Sequence, residues 1–160
     1  MEDKEYKLVS LQLFIVLPDG RMLCRRASGR GALTPSPWQI SMYRVSNFAR
    51  THDLASSLRV HMSTAYGINL DKVKHAFRKA FRHERSSYTA VDVVTLWLMD
   101  RVILRETGYY EIMPLHIDDI FKRHIKDQAS FEPLALDMLD AAVQQGEFEE
   151  CPEPIQSSLP

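Results

Sequence analysis

From Lys7 to Leu17 apolar and β-branched side chains dominate, Pro18-Asp19-Gly20 interrupts the run, and an extended pattern resumes from Arg21 to Arg26. Apolar, β-branched runs separated by a turn signal predict a β-hairpin. Residues 28–37 carry two glycines and two prolines, the composition of a loop, and loops that pass over a sheet often cover a binding site. Leu54, Leu58, Met62 and Ala65 then recur at helical spacing, and Gly67 stands where a helix takes its left-handed end. This stripe predicts a helix packed on a sheet.

The pattern of Val73 to Arg85 is ambiguous, because Val73, Phe77 and Phe81 stand four apart. That spacing suits one face of a helix, and equally alternate positions on one face of a strand. Thr89 to Arg101 is β-branched and nearly all apolar, which predicts a central strand buried on both faces. Tyr109 to Pro114 reads as another short strand. Ile117 to Ile125 reads as a short helix whose first turn carries Asp118 and Asp119, at the end where the helix dipole favours negative charge. A turn at Phe131-Glu132-Pro133 and a helix from Leu134 to Val143 follow. Gln145 to Pro160 has three prolines and four glutamates, so the pattern predicts one domain over residues 1–144 and a mobile acidic tail over 145–160. No internal repeat is present.

A chain of 160 residues fits a single domain, one able to bury roughly two thirds of its unfolded surface. Forty-five per cent hydrophobic residues and a net charge of −1 describe a globular protein with no overall attraction for polyanions. The N-terminal residues are charged, and no apolar run approaches the roughly 18 residues of a membrane span. The expected compartment is therefore the cytoplasm, with no membrane partner. Cys24 and Cys151 form neither a metal-type spacing nor a disulfide framework, and Cys24 on its strand is expected to be a buried structural thiol.

The order of motifs carries a resemblance. A strand ending Leu23-Cys24-Arg25-Arg26 precedes Trp38-Gln39-Ile40-Ser41 and a helix closed by Gly67-Ile68. Later, Glu111-Ile-x-Pro-Leu-x-Ile-Asp-Asp-Ile120 and Phe131-x-Pro133 lead into the final helix. Over about residues 7–144 this resembles the Nudix family, MutT-like and in particular the branch similar to isopentenyl-diphosphate isomerase, which often carries Trp-x-Ile-Ser before its signature helix. The resemblance implies an α/β (α+β) protein, an α/β/α sandwich around a central mixed β-sheet, and it favours a strand for Val73–Arg85.

It also implies a chemistry whose residues are missing. Nudix helices present glutamates on one face, where i, i+3 and i+4 positions are neighbours, and hold Mg²⁺ against a diphosphate. With the pattern anchored on Gly67-Ile68, the arginine and first helical glutamate fall on Val60 and His61, and the paired glutamates fall on Thr64 and Ala65. Between Arg44 and Leu70 the single acidic residue is Asp53, better placed as the helix N-cap. His61 has no strong ligand at helical spacing and reads as structural. The resemblance therefore implies a non-catalytic ligand- or protein-binding domain with no cofactor. The alternative is a divergent diphosphate hydrolase that builds a new Mg²⁺ site from Glu84, Asp92 and Asp100, with His83 or His61.

Candidate ligand-binding groups are Arg25 and Arg26, at the strand end where the resembling branch has a basic pair, and Arg44, near the position of a family glycine. Arg78 and His83 join them from the basic segment Lys72–Arg85, where phenylalanines alternate with cations. Arginine forks suit a nucleotide or other phosphate-containing ligand. The competing reading makes these cations the wet face of a strand, paired in part with the acidic tail. A protein partner or homodimer is a further expectation, and nucleic acid ranks last because the whole chain is near neutral.

Overall fold

The computed structural model describes residues 8–27, 36–41, 54–104 and 110–150. Its strands are β1 (Leu8–Val16), β2 (Met22–Ala27), β3 (Gln39–Ile40), β4 (His75–Glu84), β5 (Thr89–Leu98) and β6 (Tyr110–Leu115). Its helices are α1 (Leu54–Tyr66), α2 (Ile117–Lys126) and α3 (Pro133–Gln144). The strands form one mixed sheet in the order β3-β2-β1-β5-β4, with β6 paired to β2. Among the described residues no helix is long and apolar enough to cross a membrane.

β1 and β5 run parallel through nine residue pairs, Leu8↔Thr89 to Val16↔Trp97. Every residue of β5 after Thr89 is buried, which is why its sequence is apolar without alternation. One face of the sheet packs under α1, where Leu11, Leu13 and Ile15 meet Leu58, Met62 and Tyr66. The other packs under α2 and α3, where Phe14, Val16 and Cys24 meet Ile120, Leu136 and Leu139. The layers are helix, sheet, helix, as the resemblance implied.

α1 ends at Gly67, whose φ of +68° is a left-handed conformation that suits a residue without a Cβ. The turn sends the Ile68 N–H back to the Met62 carbonyl (3.1 Å) and drives the Ile68 side chain into the core. Asp53, the expected N-cap, lies outside the described residues.

β1 and β2 share the ladder pair Val16↔Met22 and then part. The edge that β2 gains takes β3, with Cys24↔Ile40 and Arg25↔Gln39. Gln12, 1% exposed, spans the gap by donating from Nε2 to the Ile40 carbonyl at 2.6 Å and to the Leu13 carbonyl at 3.1 Å.

Two expectations change. His75–Glu84 is a strand, but its register against β5 shifts between Lys79 and Phe81. The additional residue turns Phe77 toward the α1 core and Phe81 toward the α2/α3 core, so the two rings do not share a face. Residues 145–150, expected to begin a mobile tail, instead fold back on the sheet. Glu147 accepts hydrogen bonds from Arg78 Nε (2.7 Å) and Thr95 Oγ1 (3.1 Å), and its carbonyl accepts from Arg78 Nη2 (2.8 Å). Phe148 meets Phe14 edge to face at 5.9 Å and Trp97 at 6.1 Å. The remaining tail residues, 151–160, lie outside the described residues.

Because Phe148 is half-buried, Phe148→Ala should cost about 2 kcal/mol, below the range for a fully buried ring. Urea unfolding should show a lower midpoint with an unchanged slope.

Candidate functional site

On α1 the places of the missing glutamates are held by groups that do not form a hard-cation site. Thr64 turns its hydroxyl back to the Val60 carbonyl at 2.9 Å, and Ala65 is buried. His61 packs edge to face on Tyr66 with 5.9 Å between ring centroids. Burial, with a smaller contribution from the Arg25 charge, pushes the His61 imidazole down to about 4, so it is neutral near pH 7. Burial raises the Tyr66 phenol well above its ordinary value. Among the described residues no three His, Cys, Asp or Glu side chains cluster as metal ligands. The donor set does not fit the magnesium that a Nudix resemblance implies, and no step through that ion is derived.

Beside α1, at the far end of β2, lies an open cleft of about 470 Å³ lined by Arg25, Ala27, Ser36, Pro37, Gln39, Tyr110 and Glu132. Strand geometry assembles it. Arg25 pairs in register with Gln39 on one side and Ile112 on the other, and Ala27 pairs with Tyr110. Directly opposed residues share a sheet face, so Arg25, Ala27, Gln39 and Tyr110 all face the α1 side. Glu132 arrives from the start of α3, tied to β3 by its N–H to the Trp38 carbonyl (3.0 Å). Its Oε1 accepts from Gln39 Nε2 at 3.1 Å.

The Arg25 guanidinium lies 4.4 Å from the Tyr110 ring centroid. Its Nε is buried and has no hydrogen-bond partner among the described residues. Arg26, one residue on, projects to the opposite face by strand alternation. There it is ion-paired to Glu111 and stacks 4.5 Å from the Trp38 ring centroid. The two arginines, adjacent in sequence, therefore face opposite sides of the sheet.

The other candidates are dispersed. Arg78 is engaged by Glu147 on the α3 side, the internal pairing that the acidic composition of the C-terminal segment suggested. His83 is exposed near the end of β4, opposite Val91, and Arg44 lies outside the described residues. Of the alternative catalytic carboxylates, Glu84 is exposed opposite Ala90. Asp92 is 1% exposed and gripped by Arg82 through two bonds of 2.5 and 2.9 Å, with Lys79 Nζ at 3.6 Å. Asp100 accepts from the Lys74 N–H at 2.8 Å beyond the other end of β5. Six residues of extended chain, roughly 20 Å, separate Asp92 from Leu98, so these carboxylates do not converge.

Cys24 is buried, and burial raises its thiol to about 12, which makes it unreactive. Tyr110, Gln39 and Glu132 line the cleft without having stood out in the sequence. Gln39 belongs to the Trp38–Ser41 motif and Tyr110 to a predicted strand, but Glu132 is 93 residues from its partner Gln39.

No protein-family model matches the chain, and no curated protein matches it. Solved structures do. DR0079 from Deinococcus radiodurans superposes with a TM-score of 0.57 at 15% identity, over 81% of this chain and 80% of that one. The MutT protein of Methanosarcina mazei Go1 gives 0.55 at 12% identity, over 91% and 99%. The NUDIX domain of Shewanella oneidensis NrtR, complexed with ADP ribose, gives 0.55 at 9% identity, over 88% and 89%. With the six-stranded mixed sheet and three flanking helices already described, these likenesses establish that the chain has a Nudix-like fold.

Proposed function

We propose that this chain binds a nucleotide-type, phosphate-bearing ligand in the Arg25 cleft and does not carry out metal-dependent diphosphate hydrolysis. The observation that carries the reading is Arg25 itself. A guanidinium with a buried, unpartnered Nε is unfavourable unless something anionic completes it. Other arginines placed in strands have carboxylates: Arg26 has Glu111, Arg78 has Glu147 and Arg82 has Asp92. Arg25 has the face of Tyr110 and an open cleft.

A phosphate oxygen pair matches the guanidinium fork, and charge-assisted bonds of this kind are the stronger class of hydrogen bond. The fixed cation then supplies the charge neutralisation for which the family's glutamates recruit a metal. It supplies no activated water, so binding without turnover follows. The cleft volume lies within the range of small-molecule sites, roughly 300–1,000 Å³. The NrtR domain, similar in fold, is complexed with ADP ribose, which makes a nucleoside diphosphate the ligand class to try first. We assign the chain to a binding role in the cytoplasm on the same reading.

Calorimetric titration with ADP ribose and nucleoside diphosphates in the presence of EDTA should show binding. Arg25→Ala should weaken it by about 10- to 100-fold, the equivalent of one lost charge-assisted contact. Arg26→Ala, on the other sheet face, should leave it unchanged. Diphosphate cleavage at ordinary enzyme rates on adding Mg²⁺ would overturn the assignment.

His61 provides a second test. Its imidazole titrates near 6.5 when unfolded and about 4 when folded, so the unfolded chain binds more protons between those values. The stability from burying it neutral is complete above about pH 6.5 and is lost as pH falls toward 4. His61→Asn should flatten the fall of Tm over that window. An anion bound at Arg25 offsets the repulsion of the imidazolium, so saturating ADP ribose should raise the His61 value followed by NMR.

A further inference from the structure

We infer that the seat beneath residues 147 and 148 recognises an acidic-aromatic peptide of a partner protein, and that the chain's own segment occupies it as a stand-in. The seat lies on the α2/α3 face of the sheet, opposite the Arg25 cleft, so the inference does not rest on the ligand assigned to that cleft.

Two residues make the attachment. Glu147 Oε1 accepts from Arg78 Nε at 2.7 Å and from Thr95 Oγ1 at 3.1 Å, and the Glu147 main-chain carbonyl accepts from Arg78 Nη2 at 2.8 Å. One arginine thus holds both the carboxylate and the backbone of a single residue, by the charge-assisted bonds that make arginine selective for acids. Phe148 then sets its ring against Phe14 and Trp97, with 5.9 and 6.1 Å between centroids. Gly146, with φ of +74°, turns the chain back from the end of α3. Glu149 and Glu150 are exposed, so the seat reads a carboxylate and the ring that follows it.

β5 shows that the chain's own segment leaves the seat incomplete. Thr95 and Trp97 are two apart on the strand and share a face, and both are buried hydrogen-bond donors. Glu147 completes Thr95, whose other acceptor, the Arg78 carbonyl, stands 3.5 Å away. The buried Trp97 Nε1 has no hydrogen-bond partner among the described residues, an unfavourable state for a donor removed from water. Directly after the Phe148 ring the Glu149 N–H bonds back to the Gly146 carbonyl at 3.2 Å, and this turn carries the chain away from β5. A peptide with no tether to α3 is free of that turn. It can present the same carboxylate and ring and add a carbonyl or carboxylate acceptor for Trp97. That acceptor is the margin by which a partner displaces a tethered segment, which competes at high effective concentration.

The test uses the full chain carrying Glu147→Ala and Phe148→Ala, which vacates the seat, and a fluorescein-labelled peptide with the sequence of residues 144–150. Fluorescence anisotropy should show binding to this variant and about 100-fold weaker binding to the wild type, whose own segment competes. A peptide with alanine for its first glutamate and its phenylalanine should not bind, and adding Arg78→Ala to the variant should abolish binding. The Trp97 indole N–H resonance, identified by Trp97→Phe, should move downfield as it gains an acceptor, a response that a merely structural role for residues 147 and 148 does not produce. In the wild type, excess unlabelled peptide should speed amide exchange of residues 147–150 while α3 stays protected. A folded variant that leaves the peptide unbound overturns the inference; with an unfolded variant, wild-type exchange unchanged by the peptide does so. Peptide binding accompanied by concentration-dependent dimerisation of the wild type would give the seat to a second copy and remove the assignment to a different partner.

Discussion

The parting of β1 and β2 after a single ladder pair is the constraint on which the site depends. Had the hairpin stayed closed, β2 would have no free edge beside Cys24 and Arg25, and β3 could not place Gln39 opposite Arg25. The gap is tolerable because Gln12 spans it. A buried amide that donates to two carbonyls satisfies backbone groups that the separated strands would otherwise leave unpaired. The clasp lies on the α2/α3 face and the cleft on the α1 face, so one opening in the sheet is closed on one side and bordered by a cleft on the other.

Several of the charges on the sheet are paired within the molecule. Asp92 is almost fully buried, and a lone carboxylate there would be costly, but Arg82 and Lys79 enclose it. The Arg78 pair with Glu147 anchors the chain beyond α3 against β4. Much of the basic segment of β4 is therefore consumed within the molecule, which weighs against reading it as a surface for polyanions. Arg25, by contrast, stacks on an aromatic face, and its buried Nε has no hydrogen-bond partner among the described residues.

Elements written in local pattern were legible in the sequence. The hairpin, the α1 stripe closed by Gly67, the continuous apolar run of β5 and the acidic start of α2 each follow from periodicity or composition over a few residues. Features set by register or by distant pairing were not. Phe77 and Phe81 stand four apart, and the bulge before Phe81 that sends them to opposite faces has no signal in that spacing. Arg25 and Arg26 look alike in sequence and differ only in which face alternation gives them. Phe148 lies in a segment rich in glutamate and proline, so its anchoring depended on a partner surface formed by Phe14 and Trp97. The bond from Gln39 to Glu132 needed the two residues brought together by the backbone ties around Trp38.

The irregularity in β4 has a bearing on how the molecule behaves in a crowd. β4 ends the sheet path and is ten residues long, enough to act as a template for a foreign strand. The inserted residue breaks the even spacing of amides along it and sharpens the local twist, while Lys79, Arg82 and His83 line the same stretch with cations and imidazole. A second chain seeking to extend the sheet would meet an uneven rail, a device that discourages edge-to-edge pairing.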